Sequence, residues 1–471
     1  MINLPLTMGF YRSDSAAVSN RELSNWYVNV TDDQEVLFGT PGIVQIATTG
    51  TSHQENRGSN TMAGLHYFVN GDALYRLNTD YTVDELGDIE GDVTLVSMAN
   101  NGTQLMILVP GGKGYIFTED PDTLTEITAA GFRDTGNPQY VTFIDSYFAV
   151  TDDGGKWRIS NANDGLTWDA VDVGSAESSP DKTVAPFVLN NKLWIGGGET
   201  LEQFENIGGA DFPFQRTGLF IDKGIFAPSS IVESSGAIMF IGGGVNEAPV
   251  IWALSGNNVS PISDPSIDAL LGDLTADELT QVYGFSYSQR GEYFTGWKLP
   301  SVTIVYGARS QRWHTRSSFI GGQDVGWRVQ SIGTAYDKII VCDDTDGRIG
   351  YLDLDEYQEY GSEIRRIVST PKLENEGKSF GLPALRATVE SGVGNDVVAD
   401  PQMWMDISKD GGKIWNQSRL QTLGKKGEYQ KLVYWTLCGH TKRHMIIRLI
   451  MSDAVKPVLV KLEADIAGGY R

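Results

Sequence analysis

Cys438, Gly439, His440 and, four residues on, His444 have the side-chain types that seed a metal site. Thiolate and imidazole are the ligands that zinc gathers into tetrahedral sets. An extended chain rises about 3.3 Å per residue, so both histidines on one strand would stand about 13 Å apart, too far to share an ion. The expectation is an ordinary edge strand with basic neighbours Lys442 and Arg443. Asp343-Asp344-Thr345-Asp346-Gly347 opens like a calcium loop but lacks the closing glutamate, and Asp346-Gly347 reads as a hairpin turn. Gly377-Lys378-Ser379 ends like a phosphate loop, yet Lys372 stands where that loop needs its first glycine. No G-x-S-x-G nucleophile elbow is expected, and no H-E-x-x-H motif occurs. The sequence therefore assigns no catalytic residue, no cofactor site and no metal ligand.

Two segments have the form S-x-D-x-G-x-T-W, the Asp-box. In 408–415 the Ser, Asp, Gly and Trp are Ser408, Asp410, Gly412 and Trp415, with Ile414 in the Thr place. In 161–168, Asn161 and Asn163 replace Ser and Asp ahead of Gly165, Thr167 and Trp168. A short polar side chain bonds the turn backbone, glycine relaxes it, and tryptophan packs beneath. Sialidases carry this box away from their chemistry, and their Arg-Ile-Pro landmark is absent here. The boxes indicate β-hairpins, not glycan cleavage.

The elements that carry these turns recur. Bursts of alternating apolar residues flank Gly-, Asn- or Asp-rich turns at 65–77, 104–117, 146–159, 192–204, 237–254, 292–313 and 338–352. Successive starts lie 39 to 55 residues apart, the period of four-stranded propeller blades. A lone hairpin cannot bury its apolar face, so the copies must pack on one another around an axis. Seven blades are expected, or six if the first or sixth repeat joins another domain. The triple glycines at 196–198 and 242–244 resemble kelch blades and are expected at crowded strand ends near the axis.

At 471 residues the chain exceeds one ordinary core. Residues 1–50 read as an N-terminal arm containing an apolar run at 25–30, and 50–60 as a polar loop. A propeller is expected over 51–355, and a β-sandwich-like domain over 356–471 with strands near 403–407, 432–437, 445–451 and 458–462. One helical stretch, about 264–283, carries a capping box at Thr275 and Glu278 and places Ile267, Leu270 and Leu271 on one face. As an insertion in a ring it is expected to project. The fold class is all-β with this small helical insertion.

Residues 1–355 hold 20 Lys+Arg against 46 Asp+Glu, and 356–471 hold 17 against 14, which gives the net charge of −23. So acidic a surface repels a nucleic-acid backbone, which argues against sequence-reading DNA binding and leaves two readings, a wall that DNA slides past or a charge that serves solubility alone. No apolar run approaches the roughly 18 residues of a membrane helix. No secretion signal is visible at the N-terminus, and two cysteines make no disulfide framework, in keeping with synthesis in a reducing compartment.

Several passages resemble the packaged-DNA stabilisation proteins of short-tailed phages, also called tail accessory or nozzle proteins. They are Asn25-Trp26-Tyr27-Val28-Asn29 with Thr40-Pro41-Gly42, then Glu199-Thr200-Leu201-Glu202-Gln203-Phe204 with Gly208, Phe212-Pro213-Phe214-Gln215-Arg216 and Lys223-Gly224. The most specific is Asn258-Val259-Ser260-Pro261-Ile262-Ser263 leading into Ile267-Asp268, and 415–466 resembles the family more loosely. The resemblance implies a virion tail component, a homo-oligomeric ring, hexameric in the family. It would lie below the portal and its adaptor, close the DNA channel after packaging and dock tailspikes or fibres. Two other classes fit a propeller: a receptor- or glycan-binding module, marked by a clustered aromatic patch, and a glycosidase or sialidase.

Overall fold

The computed structural model describes all residues except 14–19, 32–33, 51–53, 92, 177–180, 210–211, 417 and 469–471. Each of the seven recurring hairpins forms the middle of an antiparallel sheet. The first blade runs Asn56–Met62, Leu65–Asn70, Ala73–Leu77 and Val83–Asp88. Blades two to six follow in the same meander, the sixth ending on Arg312–Ile320. Val329–Ala335, Lys338–Asp343 and Arg348–Asp353 make three strands of the seventh, and its fourth is Gly42–Thr48, from the other end of the propeller sequence.

Closure is visible in the packing. One apolar cluster fills each junction between neighbouring blades, for example Met106, Ile116 and Phe148 between blades two and three, and Trp157, Leu193 and Phe204 between three and four. The last, with Phe68, Tyr75, Ile340 and Ile349, seals blade seven against blade one. Alternation along each middle strand places apolar side chains on both faces, so each blade is buried between two others.

The first 50 residues are not a separate arm. Besides Gly42–Thr48 in the propeller, Trp26–Val30 and Glu35–Gly39 enter the C-terminal domain, and Ile2–Leu4 pairs with Val458–Gly468 there. The run at 25–30 pairs locally with Glu35–Gly39, and it is Glu35–Gly39 that finds its second partner, Val458–Gly468, about 420 residues away. The expected loop at 50–60 is also revised: Asn56–Met62 is the innermost strand of blade one, and 51–53 lie outside the described residues.

The C-terminal domain is a β-sandwich. One sheet orders Val433–Thr441, Phe380–Val389, Val458–Gly468, Glu35–Gly39 and Trp26–Val30. The other contains Arg366–Ser369, His444–Met451, Gln402–Ser408 and Arg419–Thr422. Trp26, Leu385, Met405, Trp435 and Ile447 fill the space between them. Leu23–Ser24 pairs with Arg312–Ile320 on one side and Arg366–Ser369 on the other, so blade six and the sandwich share one continuous sheet.

The helical insertion forms two short helices, Pro265–Gly272 and Ala276–Thr280, between blades five and six. Asp264 caps the first and the Thr275–Glu278 capping box starts the second. It does not project. Ile267 and Leu271 are fully buried against Ile251, Trp297 and Trp313, because two turns of helix with three apolar residues gain more by covering the blade junction than by standing in water.

Candidate assembly site at the propeller–sandwich junction

Asn25 links the two domains through one side chain. It takes a left-handed φ of 56°, which asparagine tolerates better than most residues. Its amide nitrogen donates to the Ser317 carbonyl (3.0 Å) and the Arg365 carbonyl (2.8 Å), and its oxygen accepts from the Ser317 N–H (3.1 Å). Both ends of the amide are thus used, the nitrogen bridging blade six and the linker to the sandwich and the oxygen returning to blade six.

Beneath it lies a buried ionic group. The Arg316 guanidinium stacks 3.6 Å from the Trp327 ring centre and donates to the Pro41 carbonyl (3.0 Å). Its nearest carboxylate, Glu359, is 4.0 Å away and accepts from Ser318 Oγ (2.6 Å) and Trp327 Nε1 (2.8 Å). Burial pushes the Glu359 carboxyl upward and the Arg316 and Arg366 guanidiniums downward, Arg366 to about 10. Buried ions of this kind add little net stability but hold one geometry, because any slip leaves a charge unpaired.

The acidic turn beside this group is occupied by the protein's own cations. Arg328 pairs with Asp343, Lys298 with Asp344, and Arg348 with Asp346 (2.8 Å). Asp343–Gly347 is a hairpin turn whose carboxylates already face arginine and lysine. His440 and His444 do not share a strand. They sit on consecutive strands of different sheets, Val433–Thr441 and His444–Met451, joined at Lys442 and Arg443, where Thr441 Oγ donates to the His444 carbonyl (2.7 Å). Among the described residues no three His, Cys, Asp or Glu side chains are grouped to hold a metal.

In the Asp-box at 408–415, Asp410 Oδ1 accepts from the Lys413 and Ile414 N–H groups (3.0 Å each) and from Ser408 Oγ (2.7 Å), which hold its carboxyl below the usual range. In the first box Trp168 Nε1 donates to the Gly165 carbonyl (2.8 Å) and the ring is buried against Phe132. Gly377–Gly381 also spells G-x-S-x-G, a match missed in the sequence. Here the turn enters the strand Phe380–Val389 rather than leaving a strand for a helix, so Ser379 is on no nucleophile elbow. The crowding is uneven along the triple glycines: a Cβ on Gly196 would strike Ile225 of the next blade, one on Gly242 the Gly224 carbonyl of its own blade, and Gly198 is open.

Both thiols are buried, and burial pushes Cys342 up to about 12 and Cys438 upward, away from the reactive thiolate. A cavity of about 250 Å³ follows the propeller axis, lined by Ser59, Met98, Tyr140, Phe187, Ser229 and Tyr283 among others, with no charged side chain.

The segments that resemble the phage family sit at joints. Thr40 and Gly42 clasp the last blade, their N–H groups donating to the carbonyls of Asn25 (3.0 Å) and Glu356 (2.9 Å). Ser263 Oγ accepts from the Ile251 N–H (3.1 Å) and donates to Asp268 (2.5 Å), fixing the chain into the helix. Glu202 pairs with Arg216 (3.0 Å) across blade four.

Fold and junction together define a propeller–sandwich scaffold. Two family descriptions match it: "Bacteriophage P22 Gp10, beta-propeller" over residues 2–357 and "Bacteriophage P22 Gp10, beta-sandwich" over 365–467. The chain belongs to this P22 Gp10 family, and is a structural protein of the short-tailed phage tail, located in the virion. It is 24% identical over 403 residues to the tail hub protein gp10 of Salmonella phage P22, spanning 82% of this chain and 81% of that one. Among solved structures, the WD40 β-propeller domain of Doa1 aligns with 66% of this chain and 97% of its own length, at 11% identity and a TM-score of 0.39.

Proposed function

We propose that this chain assembles as a homo-oligomeric ring, hexameric as in the family it resembles, below the portal and adaptor. There it extends and closes the DNA channel, retains the packaged genome and carries tailspikes or fibres. It acts without catalysis, cofactor or metal. The observation that carries this reading is the junction: a strand shared between blade six and the sandwich, with a buried arginine and glutamate beneath it, makes one stiff subunit suited to transmitting load. The acidic 1–355 part supplies a wall that DNA does not grip.

Duplex DNA cannot run through the propeller itself. Its major groove alone is about 12 Å wide, and the axial cavity is a pocket of about 250 Å³. The channel must therefore lie between copies. Particles made without this chain are expected to package and then lose DNA, and adding the purified chain to portal-bearing capsids should restore retention with rings visible by electron microscopy. Retention unchanged by its absence would defeat the proposal.

A further inference from the structure

The strand Val433–Thr441 ends its sheet, pairing only with Phe380–Val389. Its inward residues Val433, Trp435 and Cys438 are buried, while Leu432, Tyr434 and Leu437 point out, 68%, 38% and 84% exposed. The strand carries one extra residue opposite Leu382–Ala384, and Leu437 sits in that bulge at a φ of 53°. A bulge re-aims a side chain. Leucine has no local hydrogen bond to repay a left-handed backbone, and an exposed leucine gains nothing from water. Strain and exposure at one residue mark a group displayed for contact.

The charge around this edge selects the partner. Lys425, Lys426, Lys431, Lys442 and Arg443 are exposed beside it, opposed by Glu428. Two such edges would repel each other, which disfavours a two-fold pairing of like with like. The opposite charge lies at the outer margin of blades one and two. There Arg76 pairs with Asp84 and Asp122, and Lys113 with Glu126, which leaves Asp80, Glu85, Asp88 and Asp120 exposed and in excess.

We infer that the bulged edge Val433–Thr441, anchored by Leu437, docks on the acidic outer margin of blades one and two in a second copy of this chain. The contact joins different surfaces of identical subunits, and repeated head to tail it closes into a ring. Charge sets the orientation and rate of encounter, while the leucine and tyrosine supply the water-excluding centre. The inference rests on the ring proposed above and names its interface.

Leu437→Gly separates docking from folding, because glycine relieves the positive φ while removing the anchor. Its thermal midpoint is expected to match or exceed that of the parent, with incorporation into tails reduced about tenfold. Lys431→Glu with Lys442→Glu should reduce incorporation similarly, and Glu85→Lys with Asp88→Lys in the same chain should restore it. Chains carrying Glu85→Cys and Thr436→Cys singly, each at an exposed position that leaves Leu437 in place, co-assembled and treated with a short bismaleimide, should give a covalent dimer that neither gives alone. Full incorporation of Leu437→Gly, or tails with several copies but no mixed dimer, overturns this interface and leaves the ring standing. Tails holding a single copy overturn both.

Discussion

The Gly42 N–H donates to the Glu356 carbonyl at 2.9 Å, so the residue that opens the last strand of the propeller is tied to the point where the chain leaves it. The next residue, Ile43, pairs with Leu352 on one side and Glu359 on the other. Ring closure and the start of the sandwich linker therefore depend on the same few peptide groups. A local fault there affects both domains.

Gly42→Ala tests this. A Cβ at Gly42 would lie 2.7 Å from the Glu356 carbonyl oxygen and press on that of Gln358, both backbone atoms that cannot swing aside. A loss of about 2–3 kcal/mol is expected in chemical denaturation. Gly198→Ala, with nothing within 4 Å of the added methyl, serves as the control and should be near neutral. Equal effects at the two sites would refute the clasp.

Acid should loosen the fold through two histidines. Burial depresses His66 to about 4 and His314 to about 3, so the native chain binds fewer protons than the unfolded one below pH 6.5. Their contribution is complete above pH 6.5 and is lost as pH falls toward those values, about 3 kcal/mol for His66 alone. Glu359, raised by burial, acts with the opposite sign, losing stability as pH rises through its folded value. Comparing His66→Phe with the parent from pH 7 to 4 isolates the histidine. The variant should show a shallower fall in thermal midpoint, and parallel curves would contradict the assignment.

Much of this architecture was legible because its signals are local. Each blade's middle hairpin announces itself by alternation and a turn, and the Asp-box and capping box are closed within eight residues. What escaped depends on distant partners. Nothing near Gly42–Thr48 says that its neighbour is Arg348–Asp353, and Phe380–Val389 is obscured by Gly381 and Pro383. The junction was invisible for the same reason: Asn25, Arg316 and Glu359 come together only when three segments converge.

That convergence makes a specific energetic prediction. Arg316→Met removes the cation that faces Glu359 and should cost about 3–5 kcal/mol, since the carboxylate keeps its burial without its counter-charge. Adding Glu359→Gln removes the charge, keeps an acceptor oxygen for Trp327 Nε1 and turns an N–H toward the Ser318 hydroxyl, which can accept as well as donate, and should recover part of the loss. A double-mutant cycle by denaturant titration reads the coupling. Strictly additive effects would show that the two groups do not act together.

The conduit proposed above can be tested by charge. DNA carries one negative charge per about 1.7 Å of its axis, so any basic ring along the exit path would hold it through counterion release, and an acidic wall gives no holding point. The axial cavity of the propeller is uncharged and closed to a duplex. Ser229→Arg in that cavity should leave ejection unchanged in particles that assemble. Neutralising exposed carboxylates one blade at a time should behave differently: the set that faces the lumen between copies slows ejection, with assembly spared. The slowing should weaken as salt rises, because exposed charges more than a Debye length of about 8 Å from the DNA are screened at physiological ionic strength. If every blade set ejects at the parental rate, the acidity serves solubility, and the wall argument is lost while the structural role in the tail remains.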